Sequence, residues 1–169
     1  MTFNYILKMM LQGIIPCLII VLGIYSITKY VFRKRLSRFD TIFIFYFVML
    51  LYVTLFRFQF RGDQLFNETN LNINLVPLIE TFSLYENDKI VFLYNIFGNM
   101  IWFMPMGFGI SKLIKCSFSK CVLFALICSI TIEGLQWAFL VGTCDIDDVI
   151  FNTIGAMIGA YVYRKSRNL

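Results

Sequence analysis

The chain has 169 residues, of which 59% are hydrophobic and 15% are charged, and its net charge is +5 at neutral pH. A soluble domain is nearer half apolar and a quarter charged, so this composition excludes an ordinary soluble enzyme. The long apolar runs predict an integral membrane protein with a single domain over residues 1–169. There is no histidine, which removes the commonest general base and metal ligand.

Five apolar segments predict an all-α bundle of about five transmembrane helices. The segments are residues 5–30, 39–56, 90–114, 122–141 and 149–163. The first is too long for a signal peptide and is followed by a basic loop, so residues 1–38 are interpreted as a retained span plus that loop. The last covers ~22 Å at ~1.5 Å per residue, short of the ~30 Å hydrocarbon core. It either starts below the membrane surface or gains a turn.

The basic residues predict how the bundle is oriented. With five spans, 11 of the 15 lysines and arginines lie on one face of the membrane. Cytoplasmic loops are enriched in these residues, so we expect the N-terminus outside and the C-terminus inside a bacterial cell membrane. The positive charge is therefore a topology signal, and we expect no nucleic-acid partner. Cys116 and Cys121 fall on the reducing side and Cys144 alone outside, so no disulfide framework is expected.

Polar residues occur at matching depths in three segments. Asn95 and Asn99 are four residues apart and share a helix face, and Glu133 and Gln136 are three apart and do the same. Measured from the outer helix ends, these pairs lie ~7–13 Å deep. Asn152 lies a turn into the last segment. We interpret this coincidence as one polar cluster in the outer half of the membrane.

Glu133 is the most costly residue of that cluster. A charge near mid-membrane costs at least ~2.5 kcal/mol, so it normally faces other helices or water. Its candidate partners are Asn99, Gln136 and Arg57, unless it stays protonated. The alternative is that it only holds helices together. We favour a functional role for Glu133 and leave both interpretations open for the amides.

Three aspartates precede the last segment, Asp145, Asp147 and Asp148. Asp145 or Asp147 can cap the helix that follows, which favours acids at its N-terminus. Clustered carboxylates also suit a polar ligand or a divalent cation such as Mg²⁺ or Ca²⁺. The sequence leaves capping and binding open. Asp148 and Asn152 are four apart and share a face.

Other residues have expected structural roles. Gly155 and Gly159 allow a neighbouring helix to come close. Pro105 is expected to interrupt the third span, and Gly107 to loosen it. Residues 70–78, NLNINLVPL, alternate asparagine with apolar residues. This outer segment, with Asn74 and the structural Pro77, either dips into the membrane interface beside the cluster or is a solvated loop.

Several of these stretches resemble the VanZ-like family of small bacterial membrane proteins, named for an accessory teicoplanin-resistance protein. The matching stretches are LYVTLFRFQF (51–60), NLVPL (74–78), NIFGNMIWFMPMGF (95–108), and IEGLQ through DIDDVIFNTIGAMIG (132–159). The last is the most specific, because E-x-x-Q followed by D-I-D-D-V-x-x-N-T-x-G is long and ordered. Some members carry an arginine three residues before the first aspartate. This chain has Gly142 there, so another cation such as Arg57 would have to replace it.

The resemblance implies reduced susceptibility to glycopeptides that bear a lipid tail, and it supplies no mechanism. The residues favour a binding protein in the membrane lipids over an enzyme. Its outward polar groove would hold the head of a lipid-linked cell-wall intermediate or a lipoglycopeptide. The alternatives are a metal-assisted hydrolase or transferase with Glu133 as general base, and a small transporter. The candidate ligand-binding residues are Arg57, Asn74, Asn95, Asn99, Glu133, Gln136, Asp145, Asp147, Asp148 and Asn152.

Overall fold

A computed structural model describes residues 3–55, 73–87, 89–139 and 144–167, and these residues are helical almost throughout. Within these ranges six helices and two short strands follow one another: α1 (Phe3–Tyr30), α2 (Arg38–Leu55), β1 (Ile73–Asn74), α3 (Ile79–Asn87), α4 (Lys89–Ile114), α5 (Phe118–Ala138), β2 (Cys144–Asp145) and α6 (Ile146–Arg167). The prediction of an all-α membrane protein is confirmed.

Among the described helices, four are long and apolar enough to cross a membrane: Leu11–Tyr30 within α1, α2, α4 and α5. Helix α6 has 22 residues and spans ~33 Å, so it is longer than the 15-residue segment that the apolar pattern predicted. It gains length by including two aspartates in its first turn and basic residues in its last. These charges set α6 apart from the four apolar helices. Five spans and their orientation stay predictions.

The chain forms two compact units, and the first contains α1 and α2. The two helices pack at Gly13, where an added Cβ would overlap the ring of Tyr52. Helix α2 starts with a reciprocal cap. The Ser37 N–H donates to the Asp40 carboxylate over 2.9 Å, and the Asp40 N–H donates to the Ser37 hydroxyl over 3.1 Å. Two donors at the helix start are satisfied in this way, which fixes where α2 begins.

The second unit contains α3 to α6, and its closest packing is between α4 and α6. At three glycines an added Cβ would overlap the backbone of the other helix. The contacting pairs are Gly107 with Ala156, Gly155 with Met100, and Gly159 with Met104. Gly155 contacts Met100, and four residues further along α6 Gly159 contacts Met104, four residues further along α4. The two helices therefore run parallel. Helix α5 runs in the opposite direction and connects the end of α4 to the start of α6.

Three features of the second unit differ from the sequence predictions. Helix α4 runs from Lys89 to Ile114 with Pro105 inside it, whereas an interruption was expected at that residue. Helix α3 was not predicted, because its nine residues are short and mixed in polarity. Cys116 and Cys121 form a disulfide, with Cα atoms 6.1 Å apart. Lys115, at a φ of 52°, reverses the chain between α4 and α5 and brings these cysteines together.

Candidate functional site

Four acids of the second unit gather where α4 and α6 start and α5 ends. We call this region the acidic end and define it by Glu133, Asp145, Asp147 and Asp148. Glu133 and Asp147 are 2% and 0% exposed, and Asp145 is 9% exposed. Asp148 is half-buried. Buried carboxylates are costly unless they are hydrogen-bonded, so the partners of each one determine what this region can do.

Asp145 caps α6 and joins three segments. Its Oδ1 accepts the backbone N–H of Asp147 over 2.9 Å and the side-chain amide of Asn74 over 3.1 Å. An oxygen at this position satisfies an N–H that the first helical turn leaves free. The Asp145 N–H in turn donates to Oε2 of Glu133 over 3.2 Å. Asp145 therefore connects the start of α6 with β1 and with the end of α5.

Asp147 fastens α3 instead of capping its own helix. Its Oδ1 accepts the backbone N–H of Leu78 over 2.7 Å, and its Oδ2 accepts the Thr81 hydroxyl over 2.5 Å. Leu78 follows Pro77 and has a φ of 68°, a region that residues other than glycine rarely adopt. Both Asp147 oxygens thus hold a strained turn at the start of α3.

The segment before α3 lies on the acidic end. Strands β1 and β2 pair in parallel, with Ile73 opposite Cys144 and Asn74 opposite Asp145. Oδ1 of Asn74 also accepts the Val76 N–H over 3.1 Å, which closes the turn. The NLVPL stretch is therefore attached to the acidic end and is not a free loop.

Asp148, the half-buried acid of the acidic end, lies beside asparagines of α4. The side-chain amide of Asn99 donates to Oδ1 of Asp148, and both residues are half-buried. Asn95 lies one turn before Asn99 and is also half-buried. Gln136, one turn after Glu133 on α5, is only 6% exposed. Asn95, Asn99 and Asp148, together with Asn74 of β1, are thus the half-buried ones among the predicted residues that the structure describes.

Asn152 lies deeper and bonds to a residue that the sequence analysis missed. Its amide donates to the Ser129 hydroxyl over 2.9 Å, joining α6 to α5. Ser129 is four residues before Glu133, so the spacing argument that selected Gln136 also applies to it. Thr81 was missed for a different reason. The helix that carries it, α3, was not predicted.

Arg57 lies outside the described residues. Within the described ranges, no group of three or more Cys, Asp or Glu side chains is placed to hold a metal ion. The three aspartates illustrate why, because Asp145 bonds to β1, Asp147 to α3 and Asp148 to α4. Their carboxylates are neighbours in sequence, but they engage different segments.

Two titratable groups in β2 respond to this environment. Burial raises the pKa of the Asp145 carboxyl, and the nearby charge of Asp147 raises it further. The Asp147 backbone N–H and the Asn74 amide act against this rise. Burial also raises the pKa of the Cys144 thiol, with smaller contributions from Glu133 and Asp145.

Fold and site together define a small helical membrane protein in which four acids gather at one end of the helices of the second unit. A profile of the VanZ/LLP1 family matches residues 43–167, a range that contains the whole acidic end, and the chain belongs to that family. Protein VanZ of Enterococcus faecium is 32% identical over 122 residues, which cover 72% of this chain and 70% of that protein. The resemblance found in the sequence is confirmed. No solved structure matches the chain.

Proposed function

We propose that this protein lowers susceptibility to teicoplanin-type, lipid-tailed glycopeptides by binding an amphiphile at its acidic end. Membership of the VanZ/LLP1 family supports the link to these drugs. The observation that carries the binding site is the convergence of Glu133 from α5, Asp148 from α6 and Asn99 from α4 at one end of the bundle. Independent helices rarely gather such polar groups in a membrane protein without a function.

The residues of the acidic end have different tasks in this proposal. Asp145 and Asp147 hold backbone N–H groups and shape the site. The half-buried Asn95, Asn99 and Asp148 contact the head group, with amides as donors and the carboxylate as acceptor. The ligand is a lipoglycopeptide or a lipid-linked cell-wall intermediate whose tail remains in the bilayer. A cationic group of the ligand would pair with the Asp148 carboxylate.

The acidic end faces outward in the bacterial cytoplasmic membrane in this proposal, where such ligands reside. The positive-inside rule supports it, because the opposite end carries most basic residues of the second unit. The Cys116–Cys121 disulfide lies at that opposite end, and disulfides are rare in the cytoplasm. The disulfide alone would favour the opposite orientation, and thiol labelling distinguishes the two.

Thiol labelling of intact cells tests the orientation. After reduction, a membrane-impermeant maleimide should label Cys144 and leave Cys116 and Cys121 unlabelled. Labelling is best done above neutral pH, because the raised pKa of Cys144 slows its reaction. Labelling of Cys116 and Cys121 without Cys144 would show that the acidic end faces inward.

The function is tested with Asp148→Asn and Glu133→Gln, which remove charge and keep shape and hydrogen bonding. We expect normal abundance, weaker protection of a susceptible host against teicoplanin, and weaker binding of a fluorescent lipoglycopeptide to the protein in lipid nanodiscs. Protection against a glycopeptide without a tail should change less. Asp40→Asn is the matched control, because it also removes a carboxylate charge, lies outside the acidic end, and keeps an oxygen that can accept the Ser37 N–H. Normal abundance with full protection in both variants would contradict the proposal.

The same preparations separate binding from the two alternatives. Stoichiometric binding without turnover supports the proposed role. Metal-dependent formation of a product from a lipid-linked substrate would indicate a hydrolase or transferase instead. Movement of the ligand into sealed vesicles would indicate a transporter.

A further inference from the structure

The stretch from the NLVPL turn through α3 exposes many apolar side chains. Five of them are between 49% and 69% exposed: Leu75, Val76, Ile79, Phe82 and Tyr85. Single exposed apolar residues are common, but a contiguous set indicates an interaction surface. Helix α3 has only nine residues, so it is far too short to cross a membrane.

Helix α3 has one attached side and one exposed apolar side. At 100° per residue, Ile79, Phe82 and Tyr85 fall within an arc of about 120°. Thr81 lies to one side of that arc and bonds to Asp147, which keeps the helix in a fixed rotation. Glu86 shares the arc at the C-terminal end of the helix, where it is exposed.

The exposed side of α3 is continuous with the apolar surface of α4. Phe92 of α4 contacts two aromatic rings of α3, Phe82 with centroids 6.5 Å apart and Tyr85 with centroids 5.3 Å apart. Just beyond this contact, α4 exposes Ile90 and Leu93. Because α4 is one of the helices long and apolar enough to span the membrane, its exposed apolar side chains are suited to contact lipid. The apolar arc of α3 therefore adjoins a surface suited to contact lipid.

We propose that residues 75–87 lie in the membrane interface at the acidic end, with the apolar arc of α3 among the upper acyl chains of that leaflet. An amphipathic helix in this position lies ~5–10 Å into the boundary between head groups and acyl chains. Tyr85 and Lys89 suit that depth, since the ammonium lies 5.3 Å from the ring centroid and can reach the head groups. Asp147 fastens this interfacial helix to the acidic end. The proposal depends on the membrane fold and stands without the proposed function.

Tryptophan fluorescence in proteoliposomes tests this placement. Phe82→Trp and Ile79→Trp are made separately in a parent with Trp102→Phe and Trp137→Phe. Arg35→Trp, in the exposed turn between α1 and α2, is the matched control. Each protein is reconstituted with phosphatidylcholine brominated near the top of its acyl chains, and separately exposed to aqueous iodide. If the parent does not fold, the same substitutions are made with Trp102 and Trp137 in place, and each new signal is taken as the difference from wild type.

At positions 82 and 79 we expect blue-shifted emission, several-fold stronger quenching by brominated lipid than in the Arg35→Trp control, and weak quenching by iodide. Emission like that of a tryptophan in water, with strong iodide quenching at both positions, would show that α3 is solvated. Protection from both quenchers would show that protein covers the arc. Either result overturns the proposal, whatever the drug-protection assays show.

Discussion

The two ends of the second unit treat charge in opposite ways. At the acidic end, carboxylates are buried and bond to neighbouring segments, as Asp147 does with Leu78 and Thr81. We call the other end the basic end; it comprises Lys112, Lys115, Lys120, Arg164, Lys165 and Arg167. Its lysines are exposed, and only Arg164 is half-buried. One end uses charge to organise the backbone, whereas the other displays it to solvent.

The two ends differ because burying a charged group costs free energy unless hydrogen-bond partners replace water, and the acidic end supplies such partners to its carboxylates. A buried carboxylate is tolerated when it accepts hydrogen bonds from N–H and O–H donors. A lysine ammonium is strongly hydrated and keeps its charge at low cost by staying in water. Arg164 lies between these cases. Its Nη2 donates to the Cys116 carbonyl, and its guanidinium lies 5.9 Å from the Phe118 ring centroid.

The largest effect should follow removal of the Asp147 carboxylate. Asp147→Leu keeps the branched shape of the side chain but is bulkier, and it leaves the Leu78 N–H and the Thr81 hydroxyl without their acceptors. Each orphaned donor costs ~1–3 kcal/mol, so we expect a large fall in the thermal midpoint of the purified protein and in its abundance. Asp147→Asn should cost much less, because asparagine keeps one acceptor oxygen and the Thr81 hydroxyl can turn to accept from its amide.

The comparison between these two variants is decisive. If Asp147→Asn is as damaging as Asp147→Leu, the charge itself is needed, and the view of Asp147 as a hydrogen-bonded tether is wrong. If both variants are as stable as wild type, the contacts with α3 contribute nothing measurable.

A smaller loss of stability is expected at the close contact between α4 and α6, the helices that run from the acidic end to the basic end. Gly159→Ala places a methyl group against the Met104 backbone and forces α4 and α6 apart. Overpacking of this kind costs ~1–3 kcal/mol. Gly134→Ala is the matched control, since apart from its own helix backbone and chain neighbours nothing lies within 4 Å of the added Cβ there. In detergent, the midpoint should fall for Gly159→Ala and stay constant or rise for Gly134→Ala. Equal thermal midpoints for the two variants would show that the close α4–α6 contact does not stabilise the protein measurably.

The sequence predicted the long helices because apolar length and helical period are local properties. It also placed Asn99 near the last helix, because depth along a helix follows from residue count. It did not predict the Asp147 contacts with Leu78 and Thr81. These join residues 66 or more positions apart, and they depend on α3, whose polarity pattern is too short to read. The Cys116–Cys121 disulfide was missed because it depends on the left-handed turn at Lys115.

At the basic end we expect modest effects. Arg164→Gln removes the guanidinium from the Cys116 carbonyl and from the Phe118 ring, at a cost of ~1 kcal/mol. Lys165→Gln, one residue further on an exposed position, should stay within ~0.5 kcal/mol of wild type. Thermal midpoints of the two variants check this. If Arg164→Gln lowered the thermal midpoint as much as Asp147→Leu, charges at the basic end would stabilise the fold as strongly as those at the acidic end, and the proposed difference between the ends would be wrong.

The smallest effect should appear as a pH dependence at Asp145. Its pKa is raised in the folded protein, chiefly by burial, so the folded state holds this proton more tightly than the unfolded state does. The stabilising contribution is fully present below the unfolded pKa and is lost as the pH rises through the folded pKa. Asp145→Asn removes this titration and keeps an oxygen to accept the Asp147 N–H and cap α6.

Midpoints of the wild type and Asp145→Asn should therefore be measured from the usual carboxyl pKa range up to neutral pH. Between these limits the wild type should lose more stability than the variant, so that the variant gains relative to wild type as the pH rises. The difference between the two curves then reports what is lost with the Asp145 carboxyl. A variant that instead loses ground as the pH rises would mean that ionised Asp145 is stabilised by its partners. The donors of Asn74 and Asp147 would then outweigh burial, and the acidic end would favour charge more strongly than its buried position indicates.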